Sequence, residues 1–297
     1  MKTKVSIGPL LVLLGALCAS TTGLTQAVAP AGATPLAMGA LRMLGGGISL
    51  LGFCFITKNP PKWTGWPVAR LLSAAAGLLC CQLCYFAAVK SVGVAVGTVV
   101  VVGSSPIMVG FLGMIILKEQ PSKAWFGATC MAIVGLALLC ISGDTSNNYS
   151  IVGIGLGAVA GTSYAYFLVS VKPLLKKHNP MHIMTVVLIT GGIAMIPLLI
   201  SQPLSWIASI KGVLVTVNLG MVTMAAAFTL ILYGMRTTQV AVTSTLGLAE
   251  PLGAALLGIF FLKEQLSTFA LYGIMMLFAS MVFLIFNKSP QPKVSQS

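Results

Sequence analysis

The sequence predicts an all-α polytopic membrane protein: ten transmembrane helices arranged as two inverted five-helix repeats, 1–145 and 146–297. Three observations lead there. Of the 297 residues, 57% are hydrophobic and 7% are charged, against about 25% charged in soluble domains, and the mean hydropathy is +1.01. The apolar residues come in continuous runs of about 20, enough for a helix to cross a bilayer. They do not alternate with the period of two that a membrane barrel needs. Finally, the tetrapeptide Leu-Lys-Glu-Gln occurs twice, at 117–120 and 262–265, and each copy closes such a run.

Proline, glycine and charge divide the chain into spans near 7–27, 36–56, 69–89, 94–117, 124–142, 151–171, 181–200, 212–234, 239–262 and 267–286. The first lies in "MKTKVSIGPLLVLLGALCAS", which has the lysines, apolar stretch and small residues of a secretory leader. Its "GALC" places leucine directly before the cysteine, where a lipoprotein leader needs a small residue, and the repeat requires a helix here. It is therefore read as span one. Span two holds Arg42, with Gly39, Gly45, Gly46 and Ser49 at helical spacing around it. Span three carries "CCQLC" at 80–84, and span four carries Ser105-Pro106 before the first tetrapeptide. Spans five and ten contain few polar side chains and are expected to brace the halves from outside. Span six brings Ser163, Tyr164 and Tyr166, and span seven opens on His182, an interfacial anchor beside a basic loop. Span eight contains Asn218 and Thr223, and span nine contains Glu250-Pro251. A polar tail, "NKSPQPKVSQS", ends the chain.

The net charge of +13 would point to nucleic acid in a soluble protein. Here the cations lie in short loops, where they orient the spans, and no nucleic-acid partner is expected. With the N-terminus cytoplasmic, the inside carries Lys2, Lys4, Lys58, Lys62, Arg70, Lys118, Lys123, Lys172, Lys176, Lys177, Arg236, Lys288 and Lys293, and the outside only Lys90, Lys211 and Lys263. Both termini are thus expected in the cytoplasm, in the cell (inner) membrane. The cysteines all fall inside spans of the first half, which is no disulfide framework. "CCQLC" reads as small residues at helix contacts, and neither a metal nor a cofactor is expected.

A shift of 145 residues superposes the two tetrapeptides, Pro106 on Pro251, and Pro35 on Pro180. A constant offset at three anchors defines two homologous halves. Five spans per half is odd, so the second half enters the membrane from the other side, as in many secondary transporters. That build predicts a site near mid-bilayer between the halves.

Ten spans in two halves, "APAGATPLAMGALRMLGGG" leading into span two, "LAEP" in span nine and the twin "KEQ" endings resemble EamA-type transporters of the drug/metabolite transporter superfamily. The resemblance covers essentially the whole chain. Members usually end spans four and nine with a small residue before Glu; Glu119 and Glu264 match the acid, whereas Lys118 and Lys263 replace the small residue. "CASTTG" stands in span one where many members have Trp-Gly. The resemblance implies movement of small polar metabolites such as amino acids.

Ionisable groups inside a bilayer are costly and functional by default. Arg42 offers a two-pronged donor to a carboxylate or other anion, against a reading as a snorkelling cation or a structural partner of Glu250. Thr243, Gly247, Glu250 and Ala254 share a helical face, and Pro251 withholds a hydrogen bond from the Gly247 carbonyl. An acid beside a freed carbonyl suits an ammonium group or a proton relay, against a neutral Glu holding helices together. The shift places Ser105 opposite Glu250, and Val187 opposite Arg42. Spans four and nine are expected to bend at Pro106 and Pro251 and to face each other. The candidate substrate-binding set is Arg42, Glu250, Gln26, Gln82, Tyr85, Tyr166 and Ser105, with Glu250 the proton-coupling residue. Thr21, Thr22, Thr25, Ser163, Tyr164, Asn218 and Thr223 are further polar residues compatible with a cavity. The tetrapeptides read as structural corners in which Ser122 or Ser267 caps the next helix.

No metalloprotease, P-loop or nucleophile–base motif is present, so no enzyme is expected and transport must draw on a gradient. The leading reading is a secondary active transporter, an exporter, of small polar metabolites such as amino acids or related zwitterions, working by alternating access. The alternative is a passive channel or facilitator for a small solute. A membrane-embedded assembly or signalling subunit would need an output domain that the sequence lacks. The expected partners are the small-molecule substrate and the lipid bilayer, with a homodimer left open.

Overall fold

The computed structural model describes residues 7–61, 65–141, 150–262 and 267–287, and among them every regular element is a helix. The proposed repeat boundary at 145/146 lies outside the described residues, as do Lys2, Lys4, Lys62, Lys263 to Gln265 and the tail from Lys288. The helices are α1 (Ile7–Ala27), α2 (Pro35–Ile56), α3 (Val68–Val92), α4 (Val94–Ile116), α5 (Lys123–Ile141), α6 (Ile151–Val171), α7 (Pro180–Ala194) and α8 (Ile196–Ile200). Then come α9 (Ile210–Val217), α10 (Ala227–Met235), α11 (Val240–Leu246), α12 (Ala249–Leu262) and α13 (Thr268–Phe286). A π-helical stretch, Asn218–Ala226, joins α9 to α10. Among the described residues, eight helical segments are long and apolar enough to cross a bilayer, and two shorter apolar helices, Lys123–Leu139 and Pro180–Ala194, accompany them.

Capping residues set the helix starts. The Thr34 hydroxyl accepts from the Ala37 N–H with Pro35 in the first turn, and Asn179 accepts from Met181 ahead of α7. Ser150, Ser209 and Ser267 do the same for α6, α9 and α13, and Ser122 for α5 at 3.2 Å. These satisfy N–H groups that a helix start leaves without partners. The outer surface is apolar, with Phe53, Phe111, Leu214 and Phe278 exposed. Lipid is as apolar as the core, so helix contacts depend on close packing of small residues.

The contacts follow the 145-residue offset. α1 lies against α10, the π-helical stretch and α12, while α6 lies against α3 and α4. The offset maps the first set onto the second. The α2–α7 and α5–α13 contacts map onto themselves. The α2–α7 contact is reciprocal at the atomic level. A Cβ on Gly47 would come within 2.8 Å of the Ile189 nitrogen, and one on Gly192 within 2.7 Å of the Leu44 Cα. Adding 145 to 47 and 44 gives 192 and 189, so the offset maps one close approach onto the other. α5 and α13 likewise meet backbone to backbone, Gly135 against the Gly273 carbonyl.

The halves differ in spans four and nine. α4 is one continuous helix through Pro106. Span nine instead stops at Leu246 and restarts at Ala249. The reason lies four residues before each proline: Val102 holds the helix in α4, whereas Gly247 stands at the matching place in span nine, where glycine weakens a helix interior. The carbonyl of Gly247 is not left free either, because the Glu250 N–H turns back to it at 2.9 Å.

The first tetrapeptide closes α4 with Lys118 at φ +55° and with the Leu117 and Glu119 N–H groups both returning to the Gly113 carbonyl, at 3.1 Å. The left-handed residue after the helix produces this closure. Glu119 does not stay within its corner. Its Oε2 accepts from the Val240 N–H at 2.9 Å, capping α11 of the other half.

Candidate functional site

One end of the bundle encloses a cavity of about 670 Å³. α1 lines it through Ala19, Thr22 and Gln26, α2 through Arg42, and α3 through Leu78, Cys81, Gln82 and Tyr85. α4 contributes Thr98, Val101 and Ser105, α6 Tyr164, and α10 Phe228 and Ile231. Span nine contributes Ser244, Gly247, Leu248, Glu250 and Pro251. Leu139 of α5 and Ala270 of α13 also reach the wall, so the bracing helices touch the cavity as well as each other. The cavity lies toward the end of the bundle where α1 finishes at Ala27 and α4 begins at Val94.

Six of the seven candidate substrate residues meet on this wall: Arg42, Glu250, Gln26, Gln82, Tyr85 and Ser105. Tyr166 does not. It is 39% exposed on the outside of α6, and its ring lies over Gly77. Tyr164, two residues earlier and on another face, fills the cavity wall. Among the described residues, Arg42 and Glu250 are the only charged ones on the wall. The Arg42 Nη2 donates to the Thr223 carbonyl at 3.5 Å, and its Nε is buried with no partner. The structural pairing of Arg42 with Glu250 is therefore not its hydrogen bond. Glu250 sits in the first turn of α12, at the end of a half-helix that opens into the cavity, where the helix dipole is positive.

The neighbouring elements hold these groups in place. Gly45 and Gly46 of α2 pack directly on Gly220 in the π-helical stretch, which brings α2 close enough for Arg42 to reach Thr223. Short π-helical segments mark places where a helix is adapted to a local task. Asn218, at the start of that stretch, donates to the Thr21 and Thr25 hydroxyls at 3.2 and 2.5 Å, joining span eight to α1. The Tyr85 hydroxyl meets the Thr98 hydroxyl at 3.2 Å. The Ser105 hydroxyl returns to the Val101 carbonyl at 2.6 Å, within its own helix, a common use of serine in a helix. Thr243 behaves likewise, bonding the Gln239 carbonyl, and the Thr223 hydroxyl is fully buried against Leu219. His182 is buried, its Nε2 2.9 Å from the Asn59 carbonyl. In "CCQLC", Cys81 and Gln82 line the cavity, while Cys80 and Cys84 lie 3.8 Å apart, sulfur to sulfur, and Ser163 donates to Cys80. Among the described residues, no three His, Cys, Asp or Glu side chains come together as a metal site.

Below the cavity the opposite end is closed by polar contacts between the halves. The Trp125 Nε1 donates to the Thr245 hydroxyl at 3.0 Å, which also meets the Thr129 hydroxyl at 2.9 Å. Glu119 caps Val240, and the Val240 side chain packs on Gly113. Lys172 donates to the carbonyls of Met235 and Thr238, fixing the turn that leads into α11. Sequence reasoning missed Cys81, Thr98 and Ser244 on the wall and Glu119 beneath it. The sequence marked Glu119 as one of four acidic residues in the chain and as the acid that the family resemblance places at the end of span four, but gave no sign of its contact with Val240.

A cavity lined from both halves and closed at one end suits a membrane transporter, and comparison with known proteins agrees. The model of the EamA-like transporter family matches residues 6–141 and again 151–286. An uncharacterized transporter of Bacillus subtilis, YwfM, is 36% identical over 291 residues, covering 97% of this chain and 96% of its own. An uncharacterized transporter of Archaeoglobus fulgidus is 30% identical, covering 84% of this chain and 87% of its own. Protein PecM of Dickeya dadantii is 27% identical, covering 84% and 82%. One solved crystal structure superposes with a TM-score of 0.81 at 17% identity, over 93% of this chain and 96% of the other, a likeness of fold. Two successive family matches, one per half, and a relative aligned almost end to end leave a single assignment: the chain is a multi-pass membrane protein that belongs to the EamA-like transporter family.

Proposed function

We propose that this transporter is a secondary active exporter of small polar metabolites, amino acids or related zwitterions, working by alternating access. In this reading ten spans form two inverted five-helix repeats. The reciprocal Gly47–Ile189 and Gly192–Leu44 approaches support the two-fold axis, and α5 and α7 supply the ninth and tenth spans. Both termini lie in the cytoplasm of a cell whose inner membrane carries the protein, which the 13-to-3 distribution of cations favours. The cavity then opens outward, and the Glu119 end is the closed cytoplasmic face.

The observation that carries the proposal is a cavity of about 670 Å³ whose only charged lining residues have opposite signs, Arg42 and Glu250. A carboxylate against the guanidinium and an ammonium against the carboxylate would orient a zwitterion across the pocket. The aromatic and aliphatic wall of Tyr85, Tyr164, Phe228 and Ile231 would take its remaining surface. This balance of a few polar groups in an apolar pocket is typical of small-molecule sites. Proton coupling is assigned to Glu250, the ionisable acid on the wall.

Uptake into proteoliposomes under an imposed pH gradient tests the reading. Wild-type uptake should saturate, be stimulated by unlabelled substrate on the far side and respond to the gradient. Glu250→Gln should remove the response to the gradient. Unchanged gradient dependence in that variant would remove the coupling role, and linear flux without trans-stimulation would favour a passive channel.

A further inference from the structure

We infer that Glu119 is the proton-sensitive lock of the cytoplasmic gate, a second acid in the transport cycle that acts at the opposite end of the protein from Glu250. The inference rests on the alternating-access reading, and it identifies what keeps the inner side shut.

The geometry is specific. Glu119 comes from the α4–α5 corner of the first half, and its carboxylate is the side-chain cap of α11 in the second half, accepting the Val240 N–H at 2.9 Å. It is 8% exposed. The turn before α11 is fixed from the other side by Lys172, which donates to the Met235 and Thr238 carbonyls. The acid therefore holds the start of α11 and the base holds the preceding turn. Val240 also seats its side chain on Gly113 of α4. For substrate to enter from the cytoplasm, α11 must part from α4, and this breaks the Glu119–Val240 bond and exposes the carboxyl to water.

That difference in exposure couples the gate to protons. In the closed gate, burial raises the Glu119 carboxyl above its ordinary 4.5, opposed by the charge of Lys172 and by the Val240 N–H. The other charged groups nearby are Lys118 and Lys123 on its own corner and Arg236 in the turn it faces. Arg236 is committed to the His178 carbonyl. In an open gate the carboxyl would meet water and return toward the ordinary value. The closed state thus holds the proton more tightly. Its extra stability is present at low internal pH and is lost as pH rises through the raised value. An acidic interior keeps the inner gate shut, and an alkaline interior lets it open. The second tetrapeptide does not make this a symmetric device. Lys172 has Ala27 as its counterpart at the 145 offset, so the offset supplies no matching cation for the second tetrapeptide.

Hydrogen exchange of the full-length protein in lipid nanodiscs reads the gate without a ligand. The quantity is the protection of the backbone amides of 240–246, expressed against their intrinsic exchange so that the pH dependence of exchange chemistry cancels. In the wild type, protection should be highest at acidic pH and fall as pH is raised. Glu119→Gln keeps an acceptor for Val240 but cannot ionise, and it should give a flat, well-protected profile. Glu119→Ala should lower protection on the order of tenfold at every pH, because the side-chain acceptor for a buried N–H is lost. Lys172→Met removes the charge that holds the carboxyl down, so the fall should move to higher pH. A wild-type profile as flat as that of Glu119→Gln, or Glu119→Ala protection equal to wild type, would overturn the lock. Linear, unsaturable flux in proteoliposomes alongside the expected exchange profile would instead overturn the carrier reading on which the gate depends.

Discussion

If a two-fold axis passes between α2 and α7, the two glycines that meet across it must be energetically equivalent and coupled. Gly47→Ala places a methyl group 2.8 Å from the Ile189 nitrogen and 3.0 Å from the Leu188 carbonyl carbon. Gly192→Ala places one 2.7 Å from the Leu44 Cα and 3.0 Å from its nitrogen. The Ile189 Cγ1 at 2.8 Å and the Leu44 Cβ at 3.1 Å are also close, but the backbone neighbours cannot turn away. Carbon atoms pack comfortably at about 3.5–4.0 Å, so either methyl drives the helices apart by roughly 1 Å. Overpacking of this kind costs about 1–3 kcal/mol, offset by roughly 0.5–1 kcal/mol from replacing a helical glycine with alanine. Gly52, in the same helix, faces nothing within 4 Å, so Gly52→Ala isolates the second effect and should be neutral or stabilising.

The assay is thermal unfolding in detergent, with each variant's melting temperature compared with wild type. At about 2–4 °C per kcal/mol for a chain of this size class, each close-contact variant should lose several degrees while Gly52→Ala loses none. One separation of the helices relieves both clashes, so the double variant should cost less than the sum of the singles, by roughly 1 kcal/mol. Additive effects would mean that the two contacts are independent. Gly47→Ala and Gly192→Ala variants as benign as Gly52→Ala would refute the reciprocal contact altogether. Because α2 also carries Arg42, both destabilised variants should in addition transport more slowly.

Two other predictions concern the wall and its support. Tyr164→Ala, which strips an aromatic from the cavity, should raise the KM for uptake about tenfold, whereas Tyr166→Ala should stay within twofold; equal effects would put Tyr166 back among the substrate contacts. Asn218→Ala removes two bonds from span eight to α1, and at about 0.6–1 kcal/mol for each interhelical bond in lipid it should lower the melting temperature by a few degrees. An unchanged melting temperature would mean that those hydroxyls find equal partners elsewhere.

What the sequence disclosed and what it hid divide along physical lines. Span positions were legible because runs of apolar residues must be about as long as the bilayer is thick. The helix starts were legible at Ser122 and Ser267 because a cap acts on the residues that follow it. The cavity charges stood out because an ionisable group in a membrane span is rare. Which tyrosine of α6 faces inward was not legible. The helix is apolar on every side, so no hydrophobic face marks the interior, and two residues are more than half a turn apart. The partner of Glu119 was hidden for another reason. Val240 lies 121 residues away, and a local reading finds a sufficient account of the acid in its own corner. The π-helical stretch left no trace, since its residues differ from α-helix formers in nothing but context.

The offset of 145 explains the scaffold, and departures from it locate the function. A perfectly two-fold protein would put the same group at both mirror positions and would have no preferred sign of charge at its centre. Here Glu250 has Ser105 as its counterpart, Arg42 has Val187, and the Gly247 that breaks span nine has Val102. Each replacement is apolar or neutral where its partner is charged, or helix-holding where its partner yields. Val187 is wholly buried in the core, so the position that became a cavity ligand in one half became packing in the other. The same holds at the closed end, where Lys172 faces Glu119 and its counterpart is Ala27. In the proposed alternating-access cycle, symmetric packing would supply two states of similar energy, and the asymmetric charges would give each a different affinity for substrate and proton. A ligand can shift an equilibrium only by such a difference, so on that proposal the broken symmetry is what would let a gradient drive the cycle.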